Sequence, residues 1–163
     1  MSRRYDRELY IDRVKMIRSL MPSACIGGDV IVGFPGETKN DFLDTYNFIK
    51  KLEINYLHVF PYSERSNTKA NKISNIVPKN IRNERSKMLR SLSDKKKRMF
   101  YEKNLLSKKN VLFEKGENKE NLFGYTENYV RVKIKYDKKI IGKVIKTSLE
   151  RIDSEMNVVG KII

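Results

Sequence analysis

The stretch DVIVGFPGET, residues 29–38, decides the fold of the first part of this chain. Its β-branched residues pass directly into a glycine–proline turn, and Thr38 with Asp41 three positions later forms a capping-box pattern that starts a helix. The apolar run from Cys25 to Val32 is short and rich in β-branched residues, which predicts a buried parallel strand. Tyr56 to Phe60 reads as a second strand. The three segments together predict a strand–helix–strand unit.

Helices are also predicted on both sides of this unit. Asp6 can cap a helix whose apolar residues recur every three or four positions, at Tyr10, Val14, Ile17 and Met21. Residues 61–77 are irregular and polar, and Pro78 fits the first turn of a long basic helix. We expect that helix to connect two domains and to bury one face made of Ile81, Arg85, Met88, Leu92, Met99 and Leu106.

From Asn110 onward the hydrophobic pattern changes to a period of two. The segment from Tyr129 to Tyr136 is the clearest strand, with Val130, Val132, Ile134 and Tyr136 predicted on one face and Arg131, Lys133 and Lys135 on the other. Further strands are predicted at 111–113, 140–149 and 158–163, and roughly five strands suit a small barrel like the OB-fold. The predicted fold class is therefore α/β followed by all-β, with divisions at 1–77, 78–107 and 108–163.

The positive charge lies in the second part of the chain. The net charge is +15, yet residues 1–60 hold 9 basic and 8 acidic side chains, whereas residues 78–109 hold 12 and 3. Such a local excess indicates a polyanionic partner, and nucleic acid is favoured over a general lysine-rich composition, which would also raise the charge of the first 60 residues. No apolar run is long enough to span a membrane, so we expect a cytoplasmic protein.

The turn after the first strand is a candidate ligand site, because ligands of α/β sheets bind beyond the carboxyl ends of the strands. Gly33 and Gly36 would let the backbone approach a ligand, and Glu37 could accept hydrogen bonds from a ribose or an amine. The alternative is a turn that needs its glycines only for its own geometry. Phe60 and Tyr62 could stack on a base or cap a core.

Other single residues carry weaker signals. His58, the only histidine, is interpreted as a packing residue inside a strand, and Cys25, the only cysteine, as a buried small residue. One cysteine cannot form a zinc or iron–sulfur site. The basic face of the strand at 129–136 is either a solvated strand face or a surface for phosphates, and the neighbouring tyrosines and the basic helix favour the second.

Three stretches together resemble the radical S-adenosylmethionine tRNA methylthiotransferases: DVIVGFPGET, LHVFPYSERSNT at 57–68 and GYTENYVRV at 124–132. The likeness is to the branch that adds a methylthio group to C2 of N6-threonylcarbamoyladenosine beside the anticodon. Related enzymes act on isopentenyladenosine or on a ribosomal protein aspartate. One departure is Arg-Ser-Asn-Thr at 65–68, where the family usually has Arg-x-Gly-Thr, and Asn67 can still adopt a left-handed conformation.

The resemblance implies an architecture of three parts, of which this chain resembles only the last third. The family has an N-terminal domain with one [4Fe–4S] cluster, an open (β/α) barrel with a second cluster and S-adenosylmethionine, and a TRAM-type β-barrel that binds tRNA. The expected partners are the anticodon stem-loop and the missing N-terminal portion of the enzyme. This chain lacks the cluster cysteines, so we expect no catalytic residue, no metal ligand and no activity of the chain alone. A free-standing RNA-binding module is the alternative.

The resemblance and the charge pattern also imply site residues. Those expected near S-adenosylmethionine are Val30, Val32, Gly33, Gly36, Glu37, Phe60 and Tyr62. Those expected to contact RNA are Arg65, Lys95, Lys96, Lys97, Arg98, Tyr129, Arg131, Lys133 and Lys135.

Overall fold

A computed structural model describes residues 5–116 and 120–163. Within these ranges the chain has three α-helices and seven strands. Its contacts divide it into two compact units, one up to Lys97 and the other from Arg98 to Ile163. Among the described residues, no helix combines the length and hydrophobicity that a membrane crossing requires.

The first unit contains the predicted strand–helix–strand arrangement. Its elements are α1 (Arg7–Leu20), β1 (Gly27–Val32), α2 (Lys39–Lys51), β2 (Tyr56–Pro61), a short 3-10 helix (Lys69–Lys72) and the first part of α3 (Lys79–Glu102). β1 and β2 are parallel, with Gly27 opposite Tyr56 and Val32 opposite Pro61. The strand predicted from Cys25 begins two residues later than expected.

Side-chain caps fix where α1 and α2 begin, as predicted. The Asp6 carboxylate accepts a hydrogen bond from the backbone N–H of Leu9 at 2.9 Å. At α2, the Thr38 hydroxyl accepts from the N–H of Asp41 at 3.1 Å, while the Asp41 carboxylate accepts from the N–H of Thr38 at 2.9 Å. These bonds satisfy N–H groups that have no partner within a helix.

Within the described residues, helices cover one face of the two-stranded sheet and leave the other face open. Val32, Leu57 and Val59 lie in a core together with residues from all three helices, namely Val14, Phe42, Ile49, Leu89 and Leu92. Side chains alternate along a strand, so the opposite face carries Asp29, Ile31, His58 and Phe60, all exposed. His58 lies inside β2 and its ring packs edge-on against that of Tyr56 at 5.0 Å between centres, as a packing residue would. It is nevertheless exposed, because the prediction assumes a strand covered on both faces.

The buried face of α3 differs in part from the prediction. Arg85 and Leu92 are buried as predicted, but Met88 and Met99 are exposed, and Leu106 lies beyond the helix end. The residues that are actually buried are Arg82, Arg85, Ser86, Leu89, Leu92, Ser93, Phe100 and Tyr101. The predicted set repeats every 3.5 residues, whereas a straight helix repeats every 3.6, and this drift moves Met99 off the buried face. Met88 is misplaced because the centre of the buried face carries the polar residues Arg82, Ser86 and Ser93, which an apolar pattern excludes.

The second unit is a closed five-stranded barrel, as predicted from the period-two pattern. Its strands are β3 (Lys108–Glu114), β4 (Asn121–Thr126), β5 (Arg131–Lys135), β6 (Val144–Ile152) and β7 (Val158–Ile162), in the spatial order β3-β4-β5-β7-β6. All pairs are antiparallel except β5 with β7. The arrangement is that of a small OB-like barrel.

The barrel core and the strand limits correct three details of the prediction. Val130, Val132 and Ile134 point inward as expected, but Tyr136 follows the end of β5 and is exposed. The segment predicted as a strand from Ile140 begins with a 3-10 turn, and β6 starts at Val144. β4 has no counterpart in the prediction. Its central Gly124 weakens the strand pattern, yet a Cβ there would lie only 2.4 Å from the carbonyl oxygen of Leu112.

Candidate functional site

The carboxyl end of β1 leads into a tight turn with a free outer surface. The N–H of Glu37 donates to the carbonyl oxygen of Phe34 at 2.9 Å, with Pro35 and Gly36 between them. Gly36 has φ +86°, so the turn has the pattern of type II, in which glycine is favoured at the third position. A Cβ on Gly36 would meet no atom within 4 Å. This part of the turn is therefore open to a ligand.

Gly33 serves the packing of the chain itself. It has φ +75°, and a Cβ there would lie 2.4 Å from Cγ of Arg82. Its N–H donates to the Glu37 carboxylate at 3.0 Å. Gly33 is therefore explained by the geometry and packing of the turn itself. Gly36 remains compatible with the other interpretation, in which the turn approaches a ligand.

Glu37 is held by an ion pair with Arg85 of α3. One carboxylate oxygen pairs with the Arg85 guanidinium, which also donates to the carbonyl oxygen of Glu37 at 3.1 Å. The guanidinium lies 5.4 Å from the ring centre of Phe42. Both carboxylate oxygens thus have partners within the chain, so a ribose or an amine would have to displace one of them.

Arg82, one helical turn before Arg85, fixes the loop after β2. Its guanidinium donates to the carbonyl oxygen of Val77 at 2.7 Å and of Tyr62 at 2.9 Å, and it pairs with Glu64. The hydrogen bond from Arg82 holds the pKa of the Glu64 carboxyl below its usual range, and the same bond raises the pKa of Arg82. The sequence gives no signal for Arg82, because an arginine in a basic helix looks like a surface residue.

The side chains predicted near the cofactor lie on different faces of the sheet. Val32 is only 1% exposed in the helix-covered core, and Val30 packs against the same core. Val32 can therefore offer a ligand only its backbone, whereas Val30 is partly exposed and lines a cavity with Tyr10 and Asp29. Phe60 lies on the open face and is 51% exposed, and the ring of Tyr62 contacts Phe34 at 5.4 Å between centres.

Asp29 and Ile31 of β1 are also exposed on the open face of the sheet. They share a face with His58 and Phe60 because β1 and β2 are parallel and in register. The sequence could have identified Asp29 and Ile31 if Val32 were known to be buried, because side chains alternate between the two faces of a strand. In the following loop, Asn67 has φ +62°, as predicted, and Arg65 is exposed.

The residues described by the structure do not form a metal site. No group of three His, Cys, Asp or Glu side chains among them could hold a metal ion. Cys25 is half-buried, and burial raises the pKa of its thiol, which disfavours the thiolate that binds iron. Because Cys25 is the only cysteine of the sequence, the ligand set of an iron–sulfur cluster does not fit this chain's own residues.

The basic residues of α3 have different environments. Lys95 is exposed and Lys97 half-buried, while Arg98 pairs with Glu102 at 2.9 Å. The ammonium of Lys96 donates to the carbonyl oxygens of Leu52 at 2.8 Å and of Lys50, at the end of α2, and burial lowers its pKa. Lys96 therefore caps a helix, and contact with RNA would require breaking that cap.

The outer face of β5 is basic, but only part of it is available to a ligand. Lys133 forms ion pairs with Asp153 at 2.9 Å and with Glu155 at 3.3 Å. Arg131 is exposed, with its guanidinium 4.6 Å from the ring centre of Phe123, and Lys135 is exposed. Tyr129 precedes the strand and faces solvent. The three cations predicted on this face are therefore not equivalent. Arg131 and Lys135 are available to a ligand, whereas Lys133 is engaged in ion pairs within the chain.

Comparison with known proteins decides the family. The chain is 40% identical over 153 residues to the threonylcarbamoyladenosine tRNA methylthiotransferase MtaB of Bacillus subtilis, a match that covers 91% of this chain and 34% of the relative. It is 42% identical over 146 residues to the enzyme of the same name from Aquifex aeolicus, covering 90% of this chain. The chain belongs to the tRNA methylthiotransferase family.

A second group of this family is also similar. The tRNA-2-methylthio-N(6)-dimethylallyladenosine synthase of Bacillus subtilis is 37% identical over 167 residues, covering 96% of this chain and 32% of the relative. The chain spans about a third of the length of the curated relatives it matches. No protein-family model matches it. The resemblance stated from the three sequence stretches is confirmed.

In the barrel of this chain, the contacts of Asp153, among them its ion pair with Lys133, predict a loss of stability in acid. Although burial alone would raise it, the pKa of Asp153 is lowered from 3.8 to about 2 by hydrogen bonds from the backbone N–H groups of Asn157 and Glu155 and from Lys133. A carboxyl with a lowered folded-state pKa stabilises the fold above its unfolded pKa and loses that contribution as the pH falls towards the folded value.

We therefore expect the melting temperature of the chain to fall between about pH 4 and pH 2, and less so in Asp153→Asn. Circular dichroism melts at several pH values measure this. Glu150→Gln, an exposed change on β6, is the matched control and should keep the full pH dependence. Identical pH profiles for Asp153→Asn and the unmodified chain would contradict the role given to this carboxylate.

Proposed function

We propose that this chain is the part of a tRNA methylthiotransferase that completes the S-adenosylmethionine site and supplies the tRNA-binding barrel. The enzyme would add a methylthio group to C2 of N6-threonylcarbamoyladenosine next to the anticodon. The observation that carries the proposal is the combination, in one chain of this family, of a parallel strand pair ending in the GFPGET turn with a closed barrel that has a basic outer strand.

The turn and the open sheet face would form one side of the S-adenosylmethionine site. The outer surface of Gly36 is free. Phe60 lies near the carboxyl end of the neighbouring strand β2 and Tyr62 directly follows it, where ligands of such sheets bind. The bound cofactor would supply the radical chemistry of the family. The part played by this chain is to hold the turn in one conformation through Arg85 and Glu37.

The open face also supports a further barrel portion as partner. Ile31 and Phe60 are exposed there, and within the described residues β1 and β2 pair only with each other. Exposed apolar side chains on a sheet mark a surface for a partner, and unpaired strand edges invite further strands. The N-terminal portion of the enzyme would cover this face and add strands to the sheet.

We expect no iron–sulfur cluster and no radical chemistry in the chain alone, because it holds one cysteine and one histidine, too few side chains to ligate a cluster. After anaerobic incubation with iron and sulfide, the purified chain should show neither the visible absorption of a cluster nor reductive cleavage of S-adenosylmethionine. A full-length relative is the positive control. Cluster absorption in this chain that disappears in Cys25→Ala would contradict the proposal.

For the barrel, we expect binding to an anticodon stem-loop RNA that weakens steeply with salt, because cations that meet phosphates release counterions. Lys135→Gln should lower the slope of log affinity against log salt by about 0.7 to 0.9, the value of one lost phosphate contact. Lys15→Gln, an exposed change on α1, is the control and should leave the slope unchanged. Affinity that is absent at low salt, or independent of salt, would count against the proposal.

A free-standing RNA-binding module is the second candidate, and the closure of the barrel around its own core favours it. The DNA before the Met1 codon separates the two candidates. An open reading frame that encodes the missing cysteines supports the enzyme, whereas an in-frame stop with no cysteine-bearing partner supports the module.

A further inference from the structure

Tyr129 has a backbone conformation that its side chain does not favour. It has φ +63°, in the left-handed region that glycine and asparagine adopt easily and bulky residues rarely adopt. Its side chain is 70% exposed, so the fold gains little from burying the ring. Backbone strain of this kind persists where the surroundings hold it, and it often marks a functional position.

The turn between β4 and β5 is held rigidly by buried polar side chains. The N–H groups of Tyr129 and Val130 donate to the carbonyl oxygen and the hydroxyl oxygen of Thr126 at 3.0 Å and 2.9 Å. The Thr126 hydroxyl donates to the Asn128 amide oxygen at 2.8 Å, and the Asn128 amide donates to Asn104 at 3.0 Å. Thr126, Asn128 and Asn104 are all buried. The direction in which Tyr129 points is therefore set by the core of the barrel unit.

The surface next to Tyr129 is aromatic and cationic. The rings of Tyr125 and Tyr129 are 6.2 Å apart between centres and tilted by 53°. Tyr125 lies opposite Leu112 of β3 and opposite Arg131 of β5. All three side chains are exposed on the outer surface of the barrel. This surface offers two exposed rings beside a guanidinium, which is the composition of sites that stack bases of single-stranded nucleic acid.

We infer that Tyr125 and Tyr129 form a stacking platform for an unpaired base of the RNA, an inference that rests on the RNA binding proposed above. The platform adds a contact of a different kind from the phosphate contacts of Arg131 and Lys135. Stacking needs a base that is free of its helix, so the platform distinguishes a loop from a duplex. The net charge of +15 favours RNA over a protein as the partner of these rings.

The test uses the full chain and two RNA probes, an anticodon stem-loop and a blunt duplex of the same stem, in fluorescence anisotropy titrations. Tyr129→Asn removes the ring and suits the left-handed backbone, so its melting temperature should equal or exceed that of the unmodified chain. We expect it to weaken binding of the stem-loop by about tenfold and binding of the duplex by less than about twofold.

Two further variants separate stacking from charge and from general surface change. Tyr129→Phe should bind the stem-loop within about twofold of the unmodified chain, because it keeps the ring. Tyr5→Ala removes another exposed tyrosine, in the first unit before α1, and should leave both affinities unchanged. The salt slope should be the same in Tyr129→Asn as in the unmodified chain, since no phosphate contact is lost.

The outcomes distinguish this inference from the proposed function. Stem-loop binding that survives Tyr129→Asn, or an equal loss for stem-loop and duplex, would overturn the platform and leave the RNA-binding barrel standing. If the unmodified chain binds neither RNA, the proposed RNA-binding function fails and the platform fails with it. A protein partner for the rings would then be the remaining explanation of the strained, exposed tyrosine.

Discussion

Replacing Arg85 with methionine is expected to lower the free energy of unfolding of the first unit by about 3–5 kcal/mol, the cost of removing one partner of a buried ion pair. Glu37, whose side chain is 17% exposed, would lose the Arg85 guanidinium as its ion-pair partner. The carbonyl oxygen of Glu37 would also lose a donor. Urea denaturation followed by far-UV circular dichroism measures the change, since the chain has no tryptophan to report it by fluorescence.

The control for this variant is Lys87→Met, an exposed change two residues later on the same helix. It should shift the free energy of unfolding by no more than about 0.5 kcal/mol. Adding Glu37→Gln to Arg85→Met should recover part of the loss, because the uncompensated charge is then gone. An Arg85→Met chain as stable as Lys87→Met would show that the ion pair does not hold the GFPGET turn.

Leu89→Ala is expected to cost about 2–5 kcal/mol, the range for a fully buried leucine. Leu89 lies in the core of the first unit together with Val32 and Phe42, so the first part of α3 belongs to that unit. Met88→Ala is the matched control, because Met88 is the neighbouring residue and is 37% exposed. It should cost less than about 1 kcal/mol.

The pair of variants at 88 and 89 discriminates between the two helix registers. A larger effect at Met88 than at Leu89 would support the face that a strict 3.5-residue repeat predicts and would contradict the observed packing.

The same packing bears on the predicted division at residue 77. A piece that ends there lacks Leu89 and Leu92, so we expect it to be marginal alone, and a cooperative melt of a monomeric 1–77 piece would contradict this.

Local signals in the sequence determined the elements and the family. The caps at Asp6 and Thr38, the two strands of the first unit and most strands of the barrel follow from residues within a few positions of each other. Such features depend on hydrogen bonds and periodicities of the local backbone, which the sequence states directly. The three motif stretches sufficed for the family in the same way.

Only the tertiary structure decided which side chains are exposed and unpaired, and therefore free to meet a ligand. Glu37 meets Arg85, 48 positions away, and Lys133 meets Asp153, 20 positions away, so neither charge is free in the way its local sequence indicates. Val32 and Phe60 belong to adjacent strands with the same alternating pattern, yet one is buried and the other open, because helices cover a single face of the sheet. Ion pairs and burial depend on elements that are distant in sequence, and a period-two pattern states that a strand has two faces without stating which one is covered.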